Sequence, residues 1–154
     1  MRQRRRLFVY GLLLSAALIP LSCAAPEPKP IPALAKYIEV DFSKFTKGLF
    51  FDEYNAQYVK LACIYKGTGI KPVGGLSADE HLNLSVGSPT EEYADRITVV
   101  VPKNIAGIVP SLEYSDKIRV YGQARPMTVI YSNTGVKKEK LFIVADHIEK
   151  LYPN

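Results

Sequence analysis

Apolar residues recur at every second position in four separate segments of this chain, and a fifth apolar segment lies near its end. The four alternating segments are residues 58–66, 81–86, 96–101 and 117–124, and the fifth is residues 141–150. Successive side chains of a β-strand point to opposite faces of a sheet, so this spacing places one apolar face on each segment. The chain is therefore expected to form five short strands around a common core.

The connections between these strands carry signals for two short helical turns. Ser88, Pro89 and Glu91 have the spacing of an N-cap, a first helical residue and a capping-box partner, which predicts a turn ending at Ala94. Residues 104–112 also place apolar side chains on one helical face. Residues 33–56 are rich in aromatic residues and are expected to pack on the domain as a strand or a helix.

Five strands with a helix between the third and the fourth follow the order of an OB-fold, which is a Greek-key barrel. Residues 114–124 and 141–148 resemble the last two strands of bacterial OB-fold domains, in which a turn Asp leads a strand ending in aromatic-Gly and the final strand ends in Ala-Asp-x-Ile. Here those positions are Asp116, Tyr121-Gly122 and residues 145–148, and Gly122 is expected at a point where a strand of a small barrel coils sharply and a side chain would not fit. The resemblance implies an all-β fold, a five-stranded OB-fold-like barrel over residues 57–154. An up-and-down sandwich is the alternative.

The first residues of the chain have the pattern of an export signal. Arg2, Arg4, Arg5 and Arg6 precede an apolar stretch over residues 7–21. That stretch is short for a membrane-spanning helix, which needs roughly 20 apolar residues, so we expect a cleaved signal peptide. Removing these four of the 20 basic residues leaves 16 against 15 acidic ones, so the remaining chain is almost neutral. This balance counts against a polyanion as the partner.

The segment Leu21-Ser22-Cys23-Ala24 resembles a bacterial lipoprotein signal, although Pro20 stands where that family usually has Leu. In the family, the Cys thiol takes a diacylglyceryl group and the Cys becomes the first residue of the mature protein. The resemblance implies a signal peptide over residues 1–22, lipidation of Cys23, and, since Ala24 rather than Asp follows, sorting to the outer membrane. The alternative is an ordinary signal peptide cut near Ala25.

Proline occupies every second position from 26 to 32, so residues 23–32 are expected to comprise the lipidated Cys and an extended tether of nine residues, 24–32. At ~3.1 Å per residue, such a tether holds a domain about 28 Å from a lipid surface. Cys63 is the other cysteine of the chain, and its place in an alternating segment predicts a buried apolar side chain. Residues 33–56 then form an extension and residues 57–154 form the domain.

OB-folds bind ligands on the face of their second and third strands and with the loops after the first and fourth. Those loops are predicted here at residues 67–80 and 125–140. The second carries cations and a tyrosine, which is typical of a surface that stacks a ring and meets an anionic ligand. The candidate ligand-binding residues are His81, Asn83, Arg96, Thr98, Arg125, Tyr131, Lys137, Lys138 and Lys140. A solvated hairpin tip is the alternative interpretation of this loop.

These features favour a non-catalytic binding module of the cell envelope that recognises a protein, peptide or glycan. No catalytic residue, metal or cofactor is expected, because the sequence has no His-x-x-x-His, Gly-x-Ser-x-Gly or P-loop motif. Nucleic acid is not expected as a partner of an exported domain. One alternative is an envelope hydrolase with His81 beside Asp79 and Glu80 as its acid-base centre, and another is an anionic-polymer binder.

Overall fold

Six strands dominate the part of the chain that the computed structural model describes, which is residues 33, 36–47, 51–69, 73–90 and 95–152. The elements in chain order are β1 Ile38–Val40, α1 Phe42–Thr46, α2 Phe51–Tyr54, β2 Tyr58–Gly69, β3 His81–Gly87, β4 Ile97–Pro102, a 3-10 helix Ala106–Ser111, β5 Lys117–Ile130 and β6 Lys137–Lys150. The predicted signal peptide, Cys23 and the tether lie outside the described residues.

The paired strands form a closed ring. β2 pairs with β3, β3 with β4, and β5 with β6, all antiparallel, while β4 and β6 run parallel. β5 also pairs with β2, which joins the two ends of the series, and β1 adds to β2 in parallel. This order, with the 3-10 helix between β4 and β5, is that of an OB-fold. The all-β, OB-fold-like prediction is confirmed, and the closing pair sets the sandwich alternative aside.

The alternating residues form the core as predicted. Val59, Leu61, Cys63 and Tyr65 of β2 are all buried, and burial raises the pKa of the Cys63 thiol to about 12. Cys63 is therefore a small apolar side chain of the core rather than a reactive thiol. In β6 the sequence does not show which residues face the core, because its apolar run is continuous. The structure assigns Leu141, Ile143 and Ala145 to the core.

Two short helices lie at opposite ends of β4. Phe45 of α1 lines the same groove as Ile97, at the start of β4, whereas the 3-10 helix follows the end of that strand. Phe42 and Phe45 are buried, and Asp41 caps α1 by accepting hydrogen bonds from the main-chain N–H groups of Ser43 and Lys44. The extension at residues 33–56 thus supplies a strand, two helical turns and aromatic side chains of the core.

The predicted helices differ from those observed. The second is a 3-10 helix over Ala106–Ser111 with Pro110 inside it, since proline lacks the N–H that a continued α-helix needs. At the first, the Ser88 hydroxyl accepts a hydrogen bond from the main-chain N–H of Thr90, which is a local turn. Residues 91–94 of that predicted helix lie outside the described residues.

The prediction of a loop over residues 125–140 is wrong in extent. β5 continues to Ile130 and β6 begins at Lys137, so most of this segment is a two-stranded arm. Only residues 131–136 form the turn, in which Gly135 has a positive φ of 67°. The sequence did not indicate this arm, because neither of its strands buries a full face and so neither has an apolar residue at every second position.

Gly122 lies where β5 is in close contact with the main chain of β6. The register between the two strands shifts between Tyr121 and Gly122, which is a β-bulge. A Cβ atom at Gly122 would lie 2.7 Å from Cγ2 of Ile143 and would also clash with the main-chain carbonyl oxygen of Val144. The predicted role of this glycine, at a sharply coiled point of the strand, is confirmed.

We expect Gly122→Ala to lower the free energy of unfolding by about 3 kcal/mol, because a backbone carbonyl cannot move aside as a flexible side chain can. Gly107→Ala is the matched control, since a Cβ there meets nothing within 4 Å. Its effect should stay within about 0.5 kcal/mol. Urea unfolding followed by circular dichroism measures both, and equal losses for the two variants would contradict the role assigned to Gly122.

Candidate functional site

A groove of about 580 Å³ lies between α1, the start of β4 and the β5–β6 arm. Its apolar lining comes from Phe45 and Phe51 on the N-terminal side and from Ile97 and Leu141 on the barrel side. Tyr131, at the turn of the arm, also lines the groove. A volume of this size is typical of ligand sites, and polar and charged side chains make up most of the remaining lining.

Among the residues that the structure describes, cations outnumber acids in the lining of this groove. Lys47, Arg96, Lys138 and Lys140 line it together with Asp95 and Glu139. The ammonium groups of Lys138 and Lys140 lie 5.7 and 6.0 Å from the centre of the Tyr131 ring, which is cation–π distance. Lys140 Nζ also lies 3.7 Å from an Asp95 carboxylate oxygen, so one cation is partly neutralised. Among the described residues, the groove therefore presents a tyrosine ring beside an excess of positive charge.

Strand register explains why these residues meet. Val99 of β4 pairs with Ile143 of β6 in parallel, and Asp95, just before β4, forms an ion pair with Lys140 of β6. Within the arm, Lys138 and Lys140 are paired with Val129 and Met127, so both lysines project from one face. The cations therefore converge from different strands although they are far apart in sequence.

The structure brings four of the nine predicted ligand-binding residues to the groove: Arg96, Tyr131, Lys138 and Lys140. Thr98 lies two residues along β4 from Arg96 and pairs with Ser85, while Asn83 pairs with Val100. His81 pairs with Pro102 at the far end of β4, roughly 20 Å from Arg96 at 3.3 Å per residue. Arg125 lies at the base of the arm, and Lys137 lies at its tip on the face opposite to Lys138. The predicted set therefore divides among the groove, the strands β3 and β4, and the base and tip of the arm.

Sequence reasoning missed the N-terminal contribution to the groove. Phe45, Lys47 and Phe51 come from the extension, and Asp95 comes from the segment before β4. The high aromatic content of residues 33–56 is the signal that indicates packing, but it does not say where these rings lie. That placement depends on β1 pairing with β2, which delivers α1 to the end of the barrel.

The outer face of β4 and β6 is covered near its centre. Val100 is fully buried although it alternates with the core residues Val99 and Val101. Phe142 of β6 is also buried, and the turn at Gly74 lies against its ring. A Cβ atom at Gly74 would be 2.5 Å from Cζ of Phe142. The connection between β2 and β3 therefore occupies part of the face on which OB-folds commonly bind ligands.

A second cluster joins the N-terminal segment to β5 and β6. The Tyr37 hydroxyl donates a hydrogen bond to Oδ2 of Asp146 at 3.1 Å, and the Tyr37 ring packs edge-on against Tyr58 and Tyr121. Burial raises the pKa of Asp146, although the Tyr37 hydrogen bond and the charge of Arg125 oppose the rise. Burial, followed by the charge of Asp146, raises the pKa of Tyr37, so its hydroxyl stays a donor. This cluster therefore anchors the segment that carries α1.

His81 has a main-chain partner. Its Nδ1 lies 3.1 Å from the carbonyl oxygen of Ser77, and because a carbonyl only accepts, Nδ1 carries the hydrogen in this contact. The other histidine, His147, packs its ring against Tyr121 at 5.6 Å. Among the described residues, no group of three or more His, Cys, Asp or Glu side chains is placed to hold a metal ion. The same part of the chain contains no helix long and apolar enough to span a membrane.

No protein-family model and no curated protein matches the chain. Similar solved structures include an OBody bound to hen egg-white lysozyme, with 16% identity over 64% of this chain and 85% of that chain and a TM-score of 0.48. The mitochondrial single-stranded DNA binding protein from S. cerevisiae has 15% identity over 64% and 99% of the two chains and a TM-score of 0.43. The small single-stranded DNA-binding protein from Streptomyces coelicolor has 15% identity over 62% and 94% and a TM-score of 0.43. Likenesses of this size say nothing about a ligand of this chain, and the OB-fold assignment stands on its strand order and register.

We expect Gly74→Ala to destabilise the protein by about 2 kcal/mol more than Gly75→Ala. Both glycines have positive φ, 58° and 77°, so both variants carry the same kind of backbone strain. Only the Cβ at Gly74 meets the Phe142 ring, since nothing lies within 4 Å of a Cβ at Gly75. Thermal or urea unfolding of the pair measures the difference, and identical stabilities would show that the turn does not pack on Phe142.

Proposed function

We propose that this protein is a non-catalytic binding module of the cell envelope, and that its ligand is a protein, peptide or glycan. The observation that carries the proposal is the groove, where Lys138 and Lys140 lie at cation–π distance from Tyr131 and Arg96 lines the same space. Such a site offers a ring for stacking, cations for an anionic group and apolar surface for burial. Each of these contacts holds a ligand without requiring a proton transfer or a nucleophile.

The proposal places the module outside the cytosol, tethered to a membrane through Cys23. Its support is the signal-like segment over residues 1–22 and the alternating prolines that follow. Ala24 after the Cys favours the outer membrane by resemblance to bacterial lipoproteins. An exported domain meets envelope proteins and glycans far more often than nucleic acids, so nucleic acid is not the proposed partner.

An anionic polymer is the second candidate ligand, and the groove gives it a specific basis. Lys47, Arg96, Lys138 and Lys140 outnumber Asp95 and Glu139 there, although the chain beyond residue 6 is almost neutral. Binding of a polyanion releases counterions and weakens steeply with salt, whereas binding of a neutral glycan does not. The hydrolase alternative would use Nε2 of His81, because Nδ1 is bonded to the main-chain carbonyl of Ser77.

We expect Lys138→Glu to weaken recovery of the envelope ligand by about tenfold or more, since it reverses a charge beside Tyr131. Lys103→Glu is the matched control, because Lys103 is an exposed lysine after β4, at the end away from the groove. The soluble form beginning at Ala24 serves as bait for envelope extracts, with bound proteins and glycans quantified by mass spectrometry. Equal recovery by the wild type and both variants would contradict the groove as the site.

Cys23→Ala is expected to abolish incorporation of labelled fatty acid and to move the protein from the membrane fraction to the soluble exported fraction. Cys63→Ala is the control, because Cys63 is buried and has no role in anchoring. Metabolic labelling and fractionation measure both effects, and mass spectrometry of the mature amino terminus checks that the arginines have been removed. Label retained after Cys23→Ala would refute lipidation at this residue.

A further inference from the structure

Among the described apolar residues that line the groove, two aromatic rings are partly open to solvent. Phe45, Ile97 and Leu141 are buried, because the same side chains pack in the barrel core. Phe51 of α2 and Tyr131 at the turn of the arm are only half-buried. These two rings reach the groove from different parts of the chain. A ligand in the groove therefore meets two aromatic rings.

Hydroxyl groups of α1 also line the groove. Ser43 and Thr46 belong to its N-terminal side. The Thr46 hydroxyl donates to the main-chain carbonyl oxygen of Ser43 at 3.1 Å, and the Ser43 hydroxyl donates to a carboxylate oxygen of Asp41. A hydroxyl oxygen that donates its hydrogen keeps lone pairs for accepting. Both side chains can therefore accept hydrogen bonds from a ligand that carries many O–H groups.

Exposed cations of the lining set the charge that a ligand needs. Lys140 is already paired, because its Nζ lies 3.7 Å from a carboxylate oxygen of Asp95. Glu139 lies between Lys138 and Lys140 in β6, so its carboxylate points to the other face of the arm. Within the described part of the chain, the exposed cations of the groove that form no ion pair are Lys47, Arg96 and Lys138. Their charge is complementary to that of an acidic ligand.

An acidic glycan carries the groups that these three features bind. The C–H face of a sugar is apolar and packs on an aromatic ring, as Phe51 and Tyr131 offer. Sugar hydroxyls donate hydrogen bonds to acceptors such as the oxygens of Ser43 and Thr46. A carboxylate on the sugar forms charge-assisted hydrogen bonds with exposed cations. An acidic peptide supplies carboxylates as well, but glutamate and aspartate side chains have neither a ring face nor hydroxyl groups.

We propose that the groove binds a linear glycan whose sugars carry carboxylates, with a sugar ring at Tyr131 and a carboxylate at Arg96 and Lys138. This ligand class rests on the proposed function, because it concerns the same groove. Asp95 then limits the affinity, since its carboxylate competes with the ligand for Lys140. Asp95 is therefore a specificity-determining residue, which sets how strongly the groove favours an acidic glycan over a neutral one.

The test measures binding of hexagalacturonate and of a hyaluronan hexasaccharide to the purified protein by isothermal titration calorimetry. The methyl ester of hexagalacturonate is the matched neutral probe, because it keeps the sugar rings and removes the charge. We expect the acid to bind about tenfold more tightly than the ester, and about tenfold more tightly than capped hexaglutamate, which has carboxylates but no sugar ring. Equal affinity for the acid and either control, or no saturable binding of either acidic glycan up to about 10 mM, would overturn the proposal.

Variants separate the contribution of charge from that of the ring. Asp95→Asn frees Lys140 and should tighten binding of hexagalacturonate by about threefold while leaving the ester unchanged, and a gain of affinity cannot come from loss of the fold. Asp79→Asn is the matched control, because Asp79 is an exposed acid before β3, at the end of the barrel away from the groove. Lys138→Gln should weaken binding of the acid alone by about tenfold, whereas Tyr131→Leu should weaken binding of both probes. Unchanged or weaker binding of the acid by Asp95→Asn would overturn the role of Asp95.

The envelope ligand distinguishes a wrong ligand class from a wrong site. If its recovery depends on Lys138 and it proves to be a neutral glycan or a protein, the groove is a binding site and only the acidic-glycan proposal is overturned. If its recovery does not depend on Lys138, the groove is not the site, and the proposed function fails together with the ligand class. Recovery of a carboxylated glycan that depends on Lys138 would support both.

Discussion

The pairing of β5 with two partners is the constraint on which this structure depends. β5 bonds to β2 on one edge and to β6 on the other, and this double pairing turns a row of strands into a closed ring. In the closed ring, the apolar face of each alternating strand points inward. Side chains from every strand of the ring therefore form the core. Gly122 makes the close crossing possible, because any side chain there would meet the main chain of β6.

The groove that is proposed to bind a ligand arises where that closure stops. Pairing with β2 ends at Gln123, whereas pairing with β6 continues to Ile130, so β5 and β6 extend past the barrel as an arm. The arm holds Tyr131 and its lysines over the end of the barrel that α1 occupies, which forms the groove. It also leaves one edge of β5 unpaired among the described strands. The groove is therefore a consequence of one difference in strand length.

Much of the fold followed from the sequence, while the site followed only in part. The alternation in β2 to β5 gave the core residues directly, because burial on one face of a strand leaves a period of two. In β6 the same rule failed, since Phe142 is buried on the outer face against the turn at Gly74. Arg96 and Tyr131 were identified as candidates from charge and ring chemistry, but nothing local indicated that Phe45 and Phe51 would line the same groove.

The sequence by itself determined the strands, the inward faces of four of them, the glycine at the crossing and an amino-terminal segment typical of export. These are local properties, because the period of apolar residues, the conformational freedom of a glycine and the length of an apolar stretch each depend only on neighbouring residues. Only the tertiary structure decided which strand pairs with both ends of the ring, where α1 lies and which cations share a groove. Those outcomes depend on register between segments up to about a hundred residues apart, such as Tyr37 and Asp146. Register is fixed by the packing of the whole core rather than by any one segment.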